Sequence, residues 1–144
     1  MSHLIRRARD EDHARIAEIR NAVSENKLAE TSRTAVDSDY PWFRDNPGVW
    51  LWEEDGAILG FSAADTRNGS IWALFVAPGH ERRGIGRALF EKACDVLRQD
   101  GHRTAWLTTE PGSRAAGFYR AAGWQVIGTD PKGELIFHSS ILAA

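Results

Sequence analysis

Apolar positions along the chain alternate between the period of a strand and the period of a helix, and the changes of period mark out its elements. Residues 3 to 8 alternate weakly and read as a first strand. Asp10 is placed to cap a helix that carries Ile16, Ile19 and Val23 on one face. From Ser24 to Pro47 periodicity is poor. Tyr40-Pro41-Trp42-Phe43 there forms an aromatic cluster beside Asp37, Asp39, Arg44 and Asp45, which suits a lid or substrate wall and equally a cover for the core edge. Val49–Glu54 and Ala57–Asp65 flank Asp55-Gly56, a pair that accepts the positive φ angles of a two-residue turn, so a β-hairpin is expected. Asn68-Gly69 repeats the turn signal before an apolar run from Ile71 that ends at Pro78. A basic, glycine-bearing loop follows, and Ile85, Ala88, Leu89, Ala93, Val96 and Leu97 then recur at helical spacing.

Beyond that helix Asp100-Gly101 supplies a stop, and Thr104 to Thr109 is rich in β-formers, with Trp106 and Leu107 as its apolar members. Pro111-Gly112 breaks the strand. Ser113 can cap a short helix, Arg114 to Ala122, with Gly123 just past its end. Trp124 to Ile127 and Leu135 to Ile141 are the last strands, joined through Asp130-Pro131-Lys132-Gly133. The order is β, α, an irregular piece, three antiparallel strands, α, β, α and two final strands. It predicts an α/β (α+β layered) sheet with helices against it, in one domain over residues 1–144.

Composition narrows the function. With 42% apolar and 26% charged residues the chain is that of a globular protein, and a net charge of −2 argues against a dedicated nucleic-acid binder, which needs a basic excess. No apolar run approaches the ~20 residues of a membrane span. The N-terminus lacks the apolar stretch of a secretory signal, so the cytoplasm is the expected compartment. Cys94 is alone and falls within the helical period, which suits a buried core thiol. His3, His13, His102 and His138 show no metal-ligand spacing, and no metal is expected.

The strand–loop–helix junction from Ile71 to Phe90 carries the candidate chemistry. The first N–H groups of a helix lack intrahelical acceptors and lie at the positive end of its dipole, so such a junction favours an anion. Gly84 and Gly86 have no side chain to keep a diphosphate from the backbone, and Arg82, Arg83 and Arg87 add positive charge. A nucleoside-triphosphate loop would need Lys then Ser or Thr after Gly86, where Arg87-Ala88 stand. A dinucleotide fingerprint would need a third glycine where Leu89 stands. Nucleotide hydrolysis is therefore disfavoured.

Glu81-Arg82-Arg83-Gly84-Ile85-Gly86 resembles the acetyl-CoA loop of the N-acetyltransferases of the GNAT family, Gln or Arg, two residues, Gly, any residue, then Gly or Ala. It departs at the first position, where Glu81 stands. Ala115-Ala116-Gly117-Phe118-Tyr119-Arg120-Ala121-Ala122-Gly123-Trp124 resembles the family's second motif, with Gly112 where an Asn is common. The resemblance spans Ile71 to Trp124, and the element order extends it over nearly the whole chain. It implies a mixed, mostly antiparallel central sheet flanked by helices, with acetyl-CoA as cofactor.

The same resemblance implies a cofactor site made of Phe75, Val76 and Ala77 on the fourth strand and Arg82, Arg83, Gly84, Ile85, Gly86, Arg87 and Ala88 at the loop and helix start. A backbone N–H near Phe75 or Val76 would hold the thioester carbonyl, and Ala77 would pair with the pantetheine arm. Tyr119 would protonate the departing thiolate, although an aromatic on a short helix also reads as packing. Many relatives carry a Glu on the fourth strand, and Ile71 to Val76 holds no carboxylate. Glu110 stands as the candidate base, directly or through water. Asp65, Glu54, His80 and proton loss to solvent remain open alternatives.

The implied reaction is direct transfer of an acetyl group, in a ternary complex, to a primary amine of a small molecule or peptide, with a homodimer as the expected assembly. A non-catalytic acyl-CoA-binding sensor is the alternative. Asp37, Asp39 and Glu110 would attract a cationic acceptor, while Trp42, Trp50 and Trp72 suit an aromatic acceptor or a dimer contact.

Overall fold

In a computed structural model the structure describes residues 3–22 and 48–141. Seven strands form one sheet: β1 (His3–Arg7), β2 (Val49–Glu54), β3 (Ala57–Asp65), β4 (Ser70–Val76), β5 (Thr104–Thr109), β6 (Gln125–Thr129) and β7 (Leu135–Ser140), in the order β1-β2-β3-β4-β5-β7-β6. Every neighbouring pair is antiparallel except β4 and β5. Helices α1 (His13–Ala22), α2 (Ile85–Gln99) and α3 (Arg114–Ala121) pack against it. The predicted mixed, mostly antiparallel sheet flanked by helices is what forms.

Local signals account for most of these elements. Asp55 and Gly56 both take positive φ, 52° and 82°, the pair of angles that matches the right-handed twist of the hairpin strands they join. Ser113 caps α3, its Oγ accepting the Ala116 N–H at 3.1 Å. The N-terminal helix differs from expectation. Asp10 opens a 3-10 turn, Asp10–Asp12, and the carboxylate that closes the start is that of Asp12. It accepts the Arg9 N–H at 2.7 Å and the two terminal nitrogens of Arg6 at 2.9 and 3.1 Å. Arg6 has come from β1 to meet it, so a tertiary ion pair decides where the helix begins. Ile16 and Ile19 face the core, each 1% exposed. Val23 and the aromatic cluster around Trp42, with Asp37 and Asp39, lie outside the described residues.

Trp106 and Leu107, the expected apolar members of β5, take opposite faces of the strand. Adjacent strand residues point to opposite faces, so Trp106 and Leu107 cannot both face inward. Ala105, Leu107 and Thr109 take the core side of β5; Trp106 is 36% exposed and donates its indole N–H to the Asn68 carbonyl at 3.0 Å.

The sheet has a core on each face. Ile16 and Ile19 of α1 pack with Leu51, Phe61, Ala63, Ala73 and Phe75 on one side. On the other, α2 brings Ile85 and Leu89 against Trp52 and Leu59, and Phe90, Ala93 and Leu97 against Leu107, Tyr119, Trp124 and Phe137. Gly60 on β3 sets how closely α2 approaches. A Cβ there would lie 2.9 Å from the Phe75 carbonyl oxygen, 3.0 Å from Leu89 Cδ1 and 3.2 Å from Ile85 Cγ2. Among the described residues no helix is long and apolar enough to cross a membrane.

Candidate active site

The feature that organises the site is a failure of pairing. Parallel strands β4 and β5 meet only at Ser70 and Trp106, where the Trp106 N–H reaches the Gly69 carbonyl at 3.2 Å. Beyond that contact the strands separate, leaving a wedge that opens toward Val76 and Thr109, the ends from which α2 and α3 depart.

Register decides which main-chain groups face the wedge. The Ala77 N–H donates to the Leu59 carbonyl at 2.8 Å, and Phe61 lies opposite Phe75 in the same register. Hydrogen-bonded and non-bonded pairs alternate along an antiparallel ladder, so Ala77 and Phe75 turn their polar groups to β3 while Leu74 and Val76 turn theirs away from it, into the wedge. Of the three expected strand residues, Val76 alone therefore presents its N–H there. The Ala77 N–H is already committed to β3.

The wedge opens onto the N-terminus of α2. Gly84 is its cap at φ 85°, a left-handed angle that glycine adopts without strain. No side chain caps this helix, in contrast with Ser113 at α3. The first helical bond runs from the Ala88 N–H to the Gly84 carbonyl at 3.0 Å, so the donors of Ile85, Gly86 and Arg87 lie ahead of the ladder without an intrahelical acceptor. A Cβ at Gly84 would meet nothing within 4 Å and one at Gly86 only Val76 Cγ2 at 3.5 Å, so the approach to these donors is open. Such an end takes an anion.

The charged residues of the loop divide by what they touch. Glu81 is folded back on its own loop: Oε1 accepts the Gly79 N–H at 2.9 Å, and Oε2 lies 3.8 Å from Arg114 at the start of α3. Its own N–H and that of Gly79 hold the carboxyl below the usual carboxylate range against the opposing effect of desolvation. Arg83 reaches back to β2, one terminal nitrogen 2.8 and 2.7 Å from the two Glu54 oxygens and the other 3.1 Å from His80 Nδ1. Arg82 and Arg87 are both exposed, and among the described residues neither pairs with a carboxylate.

Tyr119 lies on α3, 6% exposed, among the rings of Phe118, Phe137, Phe90 and Trp124, with centroids 5.3, 5.7, 5.8 and 6.1 Å away. Burial, with Cys94 as a smaller contribution, pushes its phenol well above the ordinary tyrosine value. At neutral pH the phenol therefore keeps its proton. Cys94 is itself buried, and its thiol is pushed up to about 12 chiefly by desolvation, so it is inert packing against a cleft of about 400 Å³ between α2 and α3.

The candidate bases are now separated. Asp65 sits at the closed end of the wedge, opposite Ser70, and accepts the Arg67 N–H, Nε and a terminal nitrogen at 2.9 Å each. Burial pushes its carboxyl up, and the Arg67 bonds outweigh that and hold it low. Glu54 is committed to Arg83, which His80 also contacts. Glu110 directly follows β5 at the open end, with an exposed side chain and its carbonyl accepting the Ser113 hydroxyl at 2.8 Å. Trp50 is half-buried under Lys92, whose ammonium lies 3.8 Å from its ring centroid, and Trp72 is half-buried against the α1-side core. Among the described residues no group of three or more His, Cys, Asp and Glu could hold a metal ion.

Two features had no trace in the order of residues. The Glu54–Arg83 pair joins positions 29 apart, and neither neighbourhood signals the other. The separation of β4 from β5 leaves no local pattern either.

The geometry has known counterparts. Residues 13–124 match the model of the Acetyltransferase (GNAT) family. The chain is 38% identical over 84 residues to the peptidyl-lysine N-acetyltransferase YiaC of Escherichia coli K12, covering 57% of this chain and 53% of that protein. It is 37% identical over 89 residues to the mycothiol acetyltransferase of Beutenbergia cavernae, covering 58% of this chain and 30% of the other. The chain thus spans about half or less of the length of these curated relatives. Among solved structures, YncA of Salmonella typhimurium, described as a putative acetyltransferase with its cofactor acetyl-CoA, superposes with a TM-score of 0.72 over 100% of this chain and 96% of that one. At 18% identity that likeness is one of fold. On the family match over most of its length, this chain belongs to the GNAT acetyltransferase family, whose cofactor is acetyl-CoA.

Proposed function

We propose that the chain is an acetyl-CoA-dependent N-acetyltransferase that moves the acetyl group directly to a primary amine of a small molecule or peptide within a ternary complex. The observation that carries this reading is the wedge between β4 and β5, which opens onto the uncapped N-terminus of α2. The N–H groups of Ile85, Gly86 and Arg87 and the turn closed by Ala88 form the phosphate cradle, and the Arg82 and Arg87 side chains add charge to it.

The bound cofactor supplies an activated thioester. The Val76 N–H then stabilises the negative charge that develops on the acetyl carbonyl oxygen as the amine nitrogen attacks the carbonyl carbon. As the carbon–sulfur bond breaks, Tyr119 gives its phenolic proton to the sulfur. Glu110, directly or through a water, takes the proton that the new amide nitrogen sheds, and the phenol regains its proton from solvent. The exposed carboxylate of Glu110 also favours a cationic acceptor at the mouth of the wedge. A relative named as a peptidyl-lysine N-acetyltransferase supports an amine acceptor.

The test is release of free CoA thiol against a panel of amines, amino acids and short peptides, alongside a melt with and without acetyl-CoA. Stabilisation by the cofactor together with thiol release for one amine class is expected. Stabilisation without release across the panel would make this a binding module, and no stabilisation at saturating cofactor would remove the reading altogether.

A further inference from the structure

A carboxylate beside an anion site should, on charge alone, repel the anion, yet Glu54 reaches the phosphate loop from another strand. Strands β2 and β4 both run antiparallel to β3, so their ends meet at one edge of the sheet, and Glu54 closes β2 there as Val76 closes β4. Both Glu54 oxygens lie within 2.8 Å of a single terminal nitrogen of Arg83, and the Glu54 side chain is only 12% exposed. The carboxylate is held in turn: the indole N–H of Trp52 reaches Oε1 at 3.3 Å, and His3 stacks on Trp52 at 3.8 Å.

What Arg83 holds is a segment under backbone strain. Its neighbours Arg82 and Gly84 are both left-handed, at φ 65° and 85°. For a residue with a side chain, as at Arg82, that conformation is unfavourable, and a loop without an anchor would leave it. Arg83 is fixed midway between them, and its second terminal nitrogen reaches His80 of the same loop. Arg82 and Arg87 meanwhile remain exposed for an anion.

We propose that Glu54 is a positioning residue for the cofactor: by anchoring Arg83 it keeps the loop in the conformation that exposes the first-turn N–H groups of α2, so a negative side chain strengthens the binding of an anion. This rests on the acetyl-CoA reading above and assigns Arg83 to the loop's anchor, leaving the phosphates to the main chain, Arg82 and Arg87.

The test is calorimetric titration of CoA into wild type, E54Q, R83Q and the double variant, with steady-state kinetics in acetyl-CoA. An ion pair whose arginine is partly exposed predicts that E54Q weakens CoA binding roughly fivefold and R83Q by about as much. The double variant should bind no worse than R83Q, and KM for acetyl-CoA should rise in E54Q while kcat and the acceptor KM hold. If E54Q binds CoA as tightly as wild type, or more tightly because removal of the charge dominates, the anchor is wrong. Losses that multiply in the double variant would equally overturn it, because Arg83 would then act on the ligand independently of Glu54. Wild type that fails to bind CoA would sink the acetyl-CoA reading itself, an outcome distinct from any difference among variants. The two single variants approach the pair from opposite sides, so misfolding of one leaves the other to decide.

Discussion

Tyr119 meets two demands with one side chain. Its ring fills the core between α2, α3 and β7, and its phenol is the donor in the proposed transfer. Removing the hydroxyl alone separates them. Tyr119→Phe should keep the fold and CoA affinity while kcat falls about a hundredfold or more, the usual range for loss of a general acid. Steady-state kinetics beside a CoA titration would show this, and an unchanged kcat would return Tyr119 to packing. Because burial raises the phenol far above neutrality, it stays protonated throughout the working range, and a fall in kcat on the alkaline side below about pH 9 would have to come from another group. Glu81 makes a related point about position. At the start of a phosphate motif a carboxylate reads as a fault, but here it is turned back onto the Gly79 N–H and points its charge at Arg114.

For the elements, the decisive matter is how α2 sits. Of the apolar stripe that periodicity predicted, Ile85, Leu89, Ala93, Val96 and Leu97 are buried and Ala88 is half-buried. The height of its first turn above the sheet depends on Gly60, where a methyl group would strike the Phe75 carbonyl and two side chains of α2. Gly60→Ala should therefore cost about 1–3 kcal/mol of stability as α2 is forced outward. Since the phosphate cradle rides on that helix, CoA should also bind more weakly. A denaturant titration and a CoA titration on the same variant would check both, and a variant as stable as wild type would mean that the helix yields without cost. No pattern within β3 marks Gly60 for this role, because its neighbours here are Phe75, Ile85 and Leu89.

Across the whole molecule, carboxylates are held low by arginine partners, near in the chain at Asp12 and Asp65 and distant at Glu54. Burial pushes Asp12 up, but its bonds from Arg6 and Arg9 prevail; Asp65 follows the same balance with Arg67, and Arg83 leads the lowering at Glu54. A group whose folded pKa is depressed stabilises the fold above its unfolded pKa and loses that contribution as pH falls through the folded value. The melting temperature should thus stay nearly level from about pH 8 down to about pH 5 and decline below about pH 4, where unfolded Asp and Glu begin to protonate. A melt series across that range checks the sign, and stability that rose on acidification would contradict these pairings.

How much could be read in advance follows from the range of the forces involved. The hairpin at Asp55-Gly56, the Ser113 cap, the strand–loop–helix around Gly84 and the buried stripe of α2 depend on dihedral preferences and periodicities within a few residues, so the order of residues sufficed for them. Trp106 needed only the alternation of a strand, but which of two adjacent apolar residues faced inward was decided by the core on one side of β5. The start of the first helix passed from Asp10 to Asp12 because Arg6 arrived from β1. The wedge between β4 and β5, the turning of Val76 into it and the engagement of Glu54 by Arg83 all depend on the register between segments far apart in the chain. No short window of sequence contains both members of such a contact, so these features exist only once the sheet has closed.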